Sequence, residues 1–107
     1  MKFVCAEVER DVVDRPVIHS NYWKVDAESA SDAAAVFTEK YYATERIGVL
    51  RRAPPVQILV VTFVGEAFVF PMHIIHHDGH MRAVPMKWEE KLEADQDFPE
   101  AWGILNG

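Results

Sequence analysis

The stretch from Val56 to Met86, VQILVVTFVGEAFVFPMHIIHHDGHMRAVPM, constrains this chain more than any other segment. It is dense in β-branched and aromatic residues, which fit a pleated, half-buried surface better than a helix. Two glycines punctuate it, Gly65 and Gly79. Gly65-Glu66 reads as a two-residue turn with glycine first, and Asp78-Gly79 is a strong hairpin signal. The segment is therefore expected to form a three-stranded antiparallel meander. These turns would pair Val64 with Ala67 and Leu59 with Met72 in the first hairpin, and His77 with His80 in the second.

That register sorts the side chains, because successive residues of a strand point to opposite faces. One face collects Leu59, Val61, Phe63, Phe68, Phe70, Met72, Ile74 and Met81. The other collects Ile58, Val60, Thr62, Val64, Ala67, Val69, Pro71, His73, Ile75 and His77. The first is a continuous apolar surface. The apolar half of the second is too large to stay bare on a monomer, so something must cover it. Candidates are the C-terminal segment (Trp88, Leu92, Phe98, Trp102, Leu105), a second copy of the chain, or a partner. The four-residue spacing of Trp88 with Leu92 and of Phe98 with Trp102 favours a helical C-terminal cover.

Elsewhere the pattern is clear. KFVCAEV reads as a strand, with Phe3 and Cys5 on one face and Val4, Ala6 and Val8 on the other. Val17 to Ala27 again looks extended, after an exposed connection ERDVVDRP that Pro16 bars from continuing as a central strand. ESASDAAAVFTEKYY changes to helical period, with Ala30, Ala33, Ala34, Phe37 and Tyr41 on one stripe and Ser29 and Asp32 forming an acidic variant of the capping box. Gly48 lies beyond the helix, and Arg51, Arg52, Pro54 and Pro55 make a stiff connector. The expected fold is α+β in a single domain spanning 1–107. It has a mostly antiparallel sheet of about five strands in the order β-β-α-β-β-β, one long helix on one face and a short helical C-terminal segment.

Four of the five histidines fall in HIIHHDGHMR, residues 73 to 82. The second hairpin sets His77 across from His80 with β-carbons about 5 Å apart. His73 lies about 13 Å back along the strand, and His76 points to the other face. His77 and His80, with Asp78 bending in from the turn, are thus a candidate zinc pair, but a zinc site normally takes a third protein ligand and the chain carries no CxxC or HExxH. The same pair beside Arg82 could serve acid/base hydrolysis. No nucleophile elbow or phosphate loop accompanies it. No cofactor is expected, with zinc at the histidine hairpin as the alternative, and catalysis is not the favoured reading.

The net charge of −6 is unevenly placed. Residues 89 to 100, EEKLEADQDFPE, hold Glu89, Glu90, Glu93, Asp95, Asp97 and Glu100 against Lys91 alone, with Trp88 and Trp102 alongside. A second run, EVERDVVD, begins at Glu7. Phosphate backbones repel such surfaces, so direct nucleic-acid binding is disfavoured as a main role, whereas a basic protein partner is electrostatically easier. The single cysteine, Cys5, fits a reducing compartment. The chain turns acidic at Glu7, too soon for a signal-peptide core, and no apolar run approaches the ~18 residues of a membrane span. A cytoplasmic setting is expected. The function expected is a small acidic, non-catalytic protein-binding module, an inhibitor or regulator occupying the basic surface of a nucleic-acid-handling partner. The alternatives are the His77/His80 metal or hydrolytic site and a homo-oligomeric structural protein, a dimer built on the spare sheet face.

Overall fold

The computed structural model describes residues 1–45, 56–77, 80–88 and 90–106, the side chains of 43–45, 76, 77 and 80 excepted. The fold is α+β, as expected. Its strands are β1 (Lys2–Arg10), β2 (Pro16–Ile18), β3 (Trp23–Asp26), β4 (Val56–Val61), β5 (Glu66–His77), β6 (His80–Pro85) and β7 (Glu90–Glu93), and its helices α1 (Ala30–Glu45), α2 (Ala94–Asp97) and α3 (Pro99–Asn106). Every strand pairing is antiparallel.

Among the described residues seven strands fill five positions. β2 and β3 share one edge of β1, β4 and β5 follow, and β6 and β7 share the far side of β5. Each split has a local cause. The Val17–Ala27 segment does not run as one strand. After His19 N–H bonds to Glu7 O at 2.8 Å, the Ser20 hydroxyl takes over as acceptor for Glu7 N–H at 2.9 Å. The chain then re-enters the sheet at Trp23 opposite Cys5. On the other side Pro71, which has no N–H to donate, sits in mid-β5. Its carbonyl accepts Met86 N–H at 2.8 Å, just past the end of β6, so its missing donor falls where the ladder passes from β6 to β7.

The first hairpin departs from expectation. Val61 pairs with Ala67, Leu59 with Val69 and Ile58 with Phe70. Gly65 is the last residue of a three-residue loop rather than the first of a two-residue turn. Gly65 N–H bonds to Thr62 O at 3.2 Å, Thr62 N–H to Glu66 O at 2.8 Å, and Gly65 has φ +88°. The loop is thus closed by a left-handed residue, a position that favours glycine. An added Cβ at Gly65 would meet the Trp102 ring at 3.7 Å, an ordinary contact, so the φ value is what demands glycine.

The slip is by an odd number of residues, so β4 is turned over relative to the expected table. Ile58 and Val60 join Phe70 and Met72 beneath α1, together with Phe3, Cys5, Ala33, Ala34 and Phe37. Leu59 and Val61 lie on the opposite face with Val4, Val8, Ala67 and Val69. Phe63 leaves the core for the loop, 52% exposed. The β5 and β1 faces are as read from the sequence, and so is the second hairpin, with Met72 opposite Pro85 and His77 opposite His80. Asp78, Gly79, Gly48, Arg51, Arg52, Pro54 and Pro55 lie outside the described residues.

The α1 stripe seats as its spacing dictates, and the Ser29 hydroxyl accepts Asp32 N–H at 3.2 Å at its start. Glu39 of α1 reaches over the rim of the sheet and accepts Ala83 N–H from β6 at 3.0 Å, occupying an outward donor of that edge strand. Cys5 is fully buried, and desolvation pushes its thiol well above the ordinary range, which makes it a packing residue. No helix among the described residues is long and apolar enough to cross a membrane.

Candidate protein-binding surface

The part of the second sheet face formed by Val4, Val8, Leu59, Val61, Ala67 and Val69 is covered by the C-terminal segment. Ala94, Phe98 and Ala101 are buried against it, with Leu92, Trp102, Ile104 and Leu105 packed around them. The segment is not helical from Trp88, as its spacing had suggested. It runs extended through β7, paired with Glu66–Val69 of β5, and then coils. Trp88 stays off this face and packs on Phe68 at a centroid distance of 5.2 Å. Three contacts pin the cap: Ala94 N–H to Gly65 O at 2.9 Å, Arg10 Nη1 to Glu90 Oε2 at 2.6 Å, and Lys91 Nζ to Glu66 Oε2 at 2.7 Å. The Arg10 guanidinium also donates to Gln57 Oε1 at 2.9 Å and Asp14 O at 3.2 Å. Pro99 starts α3, where its lack of an N–H costs nothing.

Cap burial divides the acidic residues by role. Glu90 is consumed by Arg10. Asp97 accepts Glu93 N–H at 3.2 Å. Asp95, Asp97 and Glu100 are exposed on the cap, whereas Glu93 is exposed on β7 opposite Glu66, on the α1 side of the sheet and close to the Lys91 charge. Among the described residues none of the four makes an ion pair. Asp95, Asp97 and Glu100 stand in the first turns of α2 and α3, where the helix N-terminus favours negative charge. Helix chemistry thus accounts for part of the acidity. Glu89 lies outside the described residues. Trp102 is a packing residue set over Gly65, and Trp88 keeps 40% of its surface exposed.

The other acidic run is less exposed than its composition suggests. Glu7 is buried on the α1 face, accepts the Tyr42 hydroxyl hydrogen, and lies 3.9 Å from His19 Nε2. The signal was present in the sequence, since Glu7 continues the Phe3–Cys5 alternation. Asp11 organises the β1–β2 turn. Its carboxylate accepts the N–H groups of Val13 and Arg15 at 3.0 and 2.8 Å. The Arg15 amide bond, with the nearby guanidinium, holds its pKa below the usual value.

Two hollows flank Val17 where β2 faces the cap. One of about 320 Å³ is lined by Asp11, Arg15, Val17, Leu92, Asp97 and Phe98 among others. The second, of about 620 Å³, is lined by Val17, Ile18, Tyr22, Glu100 and Ile104 among others. Burial, together with the Glu100 charge, raises the Tyr22 pKa.

The histidine hairpin has the backbone pairing that the sequence predicted, but Asp78 and the side chains of His77 and His80 are not among the described groups. No cluster of three or more His, Cys, Asp or Glu able to hold a metal occurs among the described residues. Beyond the cap the second face continues along the β5–β6 ribbon as His73, Ile75, Arg82, Val84 and Met86, all exposed. No family model, curated protein or solved structure matches this chain.

Proposed function

We propose that this protein is a non-catalytic binding module that acts by protein–protein contact, covering a basic, phosphate-binding surface of a nucleic-acid-handling partner. One observation carries this reading: Asp95, Asp97 and Glu100 project from a cap whose inner side is core, with Glu93 exposed on the adjoining strand β7. A loose acidic tail would solvate its charges and lose entropy on docking. Carboxylates on a cap fixed by Phe98 and Ala101 are already ordered, so less conformational entropy opposes association. An excess of charge of one sign also steers encounter with a basic surface.

The homo-oligomer reading keeps only part of its motive: the chain's own C-terminal segment covers one part of the spare sheet face, and Ile75, Val84 and Met86 on the rest of it stay exposed. The test is capture on immobilised protein of heparin-binding proteins from the native host. The complex is expected to form at about 0.1 M salt and dissociate at about 1 M, where the screening length falls from about 10 Å to about 3 Å. Added duplex DNA should compete for the captured partner. The combined variant Glu93→Gln, Asp95→Asn, Asp97→Asn, Glu100→Gln, folded by circular dichroism, should lose the complex. Retention by that variant overturns the reading.

A further inference from the structure

We propose that the groove between the open edge of β2 and the C-terminal cap binds an extended, lysine- or arginine-bearing segment of a partner, which joins the sheet as a strand beside β2. This rests on the basic-partner reading above and specifies where such a partner docks.

The strand edge comes first. Glu9 lies opposite Val17, and His19 N–H turns inward to Glu7. Antiparallel alternation therefore turns the N–H and C=O of Ile18 outward, together with the C=O of Pro16. These groups have no partner among the described residues. On the opposite edge of the sheet the outward Ala83 N–H is already taken by Glu39. The β2 edge offers one donor and two acceptors to an added strand, the recognition mode in which main-chain bonds supply affinity and flanking pockets supply specificity.

The pockets are in place. The two hollows lie on either side of Val17, which lines both and is 48% exposed. Side chains on one face of an added strand recur about every 6.8 Å, so alternate residues of a bound segment would enter successive hollows. Their linings mix polar groups with apolar side chains, Leu92 and Phe98 in one and Tyr22 and Ile104 in the other. Their rims carry Asp97 and Glu100, which make no ion pair among the described residues, whereas Asp11 is matched by Arg15 and Glu90 by Arg10. Apolar side chains beside exposed carboxylates suit a long aliphatic stem ending in a cation. A second copy of the chain fits poorly, because edge-to-edge pairing of two β2 strands brings like-charged rims together. An acidic segment is repelled for the same reason.

The experiment uses the full chain and a fluorescein-labelled nine-residue peptide of alternating lysine and valine, read by anisotropy and by amide shifts. Saturable binding is expected, with the Ile18 amide among the largest shifts. The same peptide N-methylated on alternate backbone nitrogens keeps its charge but cannot pair along one edge, and it should bind at least about tenfold more weakly. The Asp97→Asn, Glu100→Gln variant should lose affinity to a similar degree, and a glutamate-valine peptide should not bind. Equal affinity for the N-methylated peptide, an unaffected double variant, or no saturable binding would each overturn the groove assignment. Loss of peptide binding with host-protein capture intact would overturn the groove and leave the module reading standing. Peptide binding with no salt-sensitive capture would leave the groove and remove the module reading.

Discussion

Replacing Phe37 by alanine is expected to lower the stability of the fold by about 3 to 5 kcal/mol. The ring is fully buried, edge-on to Trp23 at a centroid distance of 5.5 Å and to Tyr41 at 5.2 Å. It sits where the helix meets Ile58, Val60, Phe70 and Met72, so truncation opens a cavity lined by side chains from several elements. Domains of this size are stable by only about 5 to 15 kcal/mol, and the variant would sit near the unfolding threshold. The check is the urea midpoint, which should fall with little change in slope. Phe63→Ala is the companion control. Phe63 is half-exposed in the β4–β5 loop, and its loss should stay within about 0.5 kcal/mol, as for surface positions. Had the sheet kept the register that Gly65-Glu66 suggests, both phenylalanines would lie under α1 and both substitutions would be costly.

Introducing aspartate at Ala101 should be about as severe and should act on the other face. Ala101 is fully buried where α3 meets the sheet, beside Phe98 and Val61. A carboxylate there has no cationic partner in its cluster, and an uncompensated buried charge costs about 3 to 5 kcal/mol. The effect should depend on pH with a definite sign. Burial raises the pKa of the introduced carboxyl in the folded state above its unfolded value of about 3.9. The folded state then binds the proton more tightly than the unfolded state does, so the penalty is full at neutral pH and shrinks as pH falls toward that unfolded value. Urea melts of Ala101→Asp at about pH 7 and about pH 4.5, each against the parent chain, measure the difference. Because the cap carries Asp95, Asp97 and Glu100, any population in which it has peeled away should also lose partner capture.

Much of this architecture is legible in the sequence, and the misses have specific physical origins. The second hairpin register follows from Asp78-Gly79, and α1 from the Ser29 cap and the alanine stripe. The C-terminal cover follows from Phe98, Trp102 and Leu105. The β4 strand defeats a face assignment because VQILVV is apolar at both parities. A strand buried on both faces carries no alternation, so its orientation hung on the turn alone, and one glycine is compatible with more than one turn type. β7 escapes notice because EKLE lacks β-branched residues and because Trp88 and Leu92 happen to stand four apart. It is a strand only because β5 offers it an unpaired edge between Glu66 and Val69, a tertiary fact. The proposed binding surface is half legible. The excess of carboxylates in 89 to 100 is plain, but which of them are spent on Arg10 or on helix ends depends on contacts across the whole chain. The groove beside β2 needs the β2–β3 break at Ser20, which no local pattern in HSNY announces.

The most direct test of the two-faced sheet, on which the cap, its displayed charges and the groove all depend, is a methyl–aromatic NOE spectrum of the folded chain. Cross-peaks are predicted from the Leu59 and Val61 methyls to the cap at Phe98 and Ala101, and from the Ile58 and Val60 methyls to Phe37. Cross-peaks from Leu59 or Val61 to Phe37, with Ile58 and Val60 meeting the cap instead, would contradict the account.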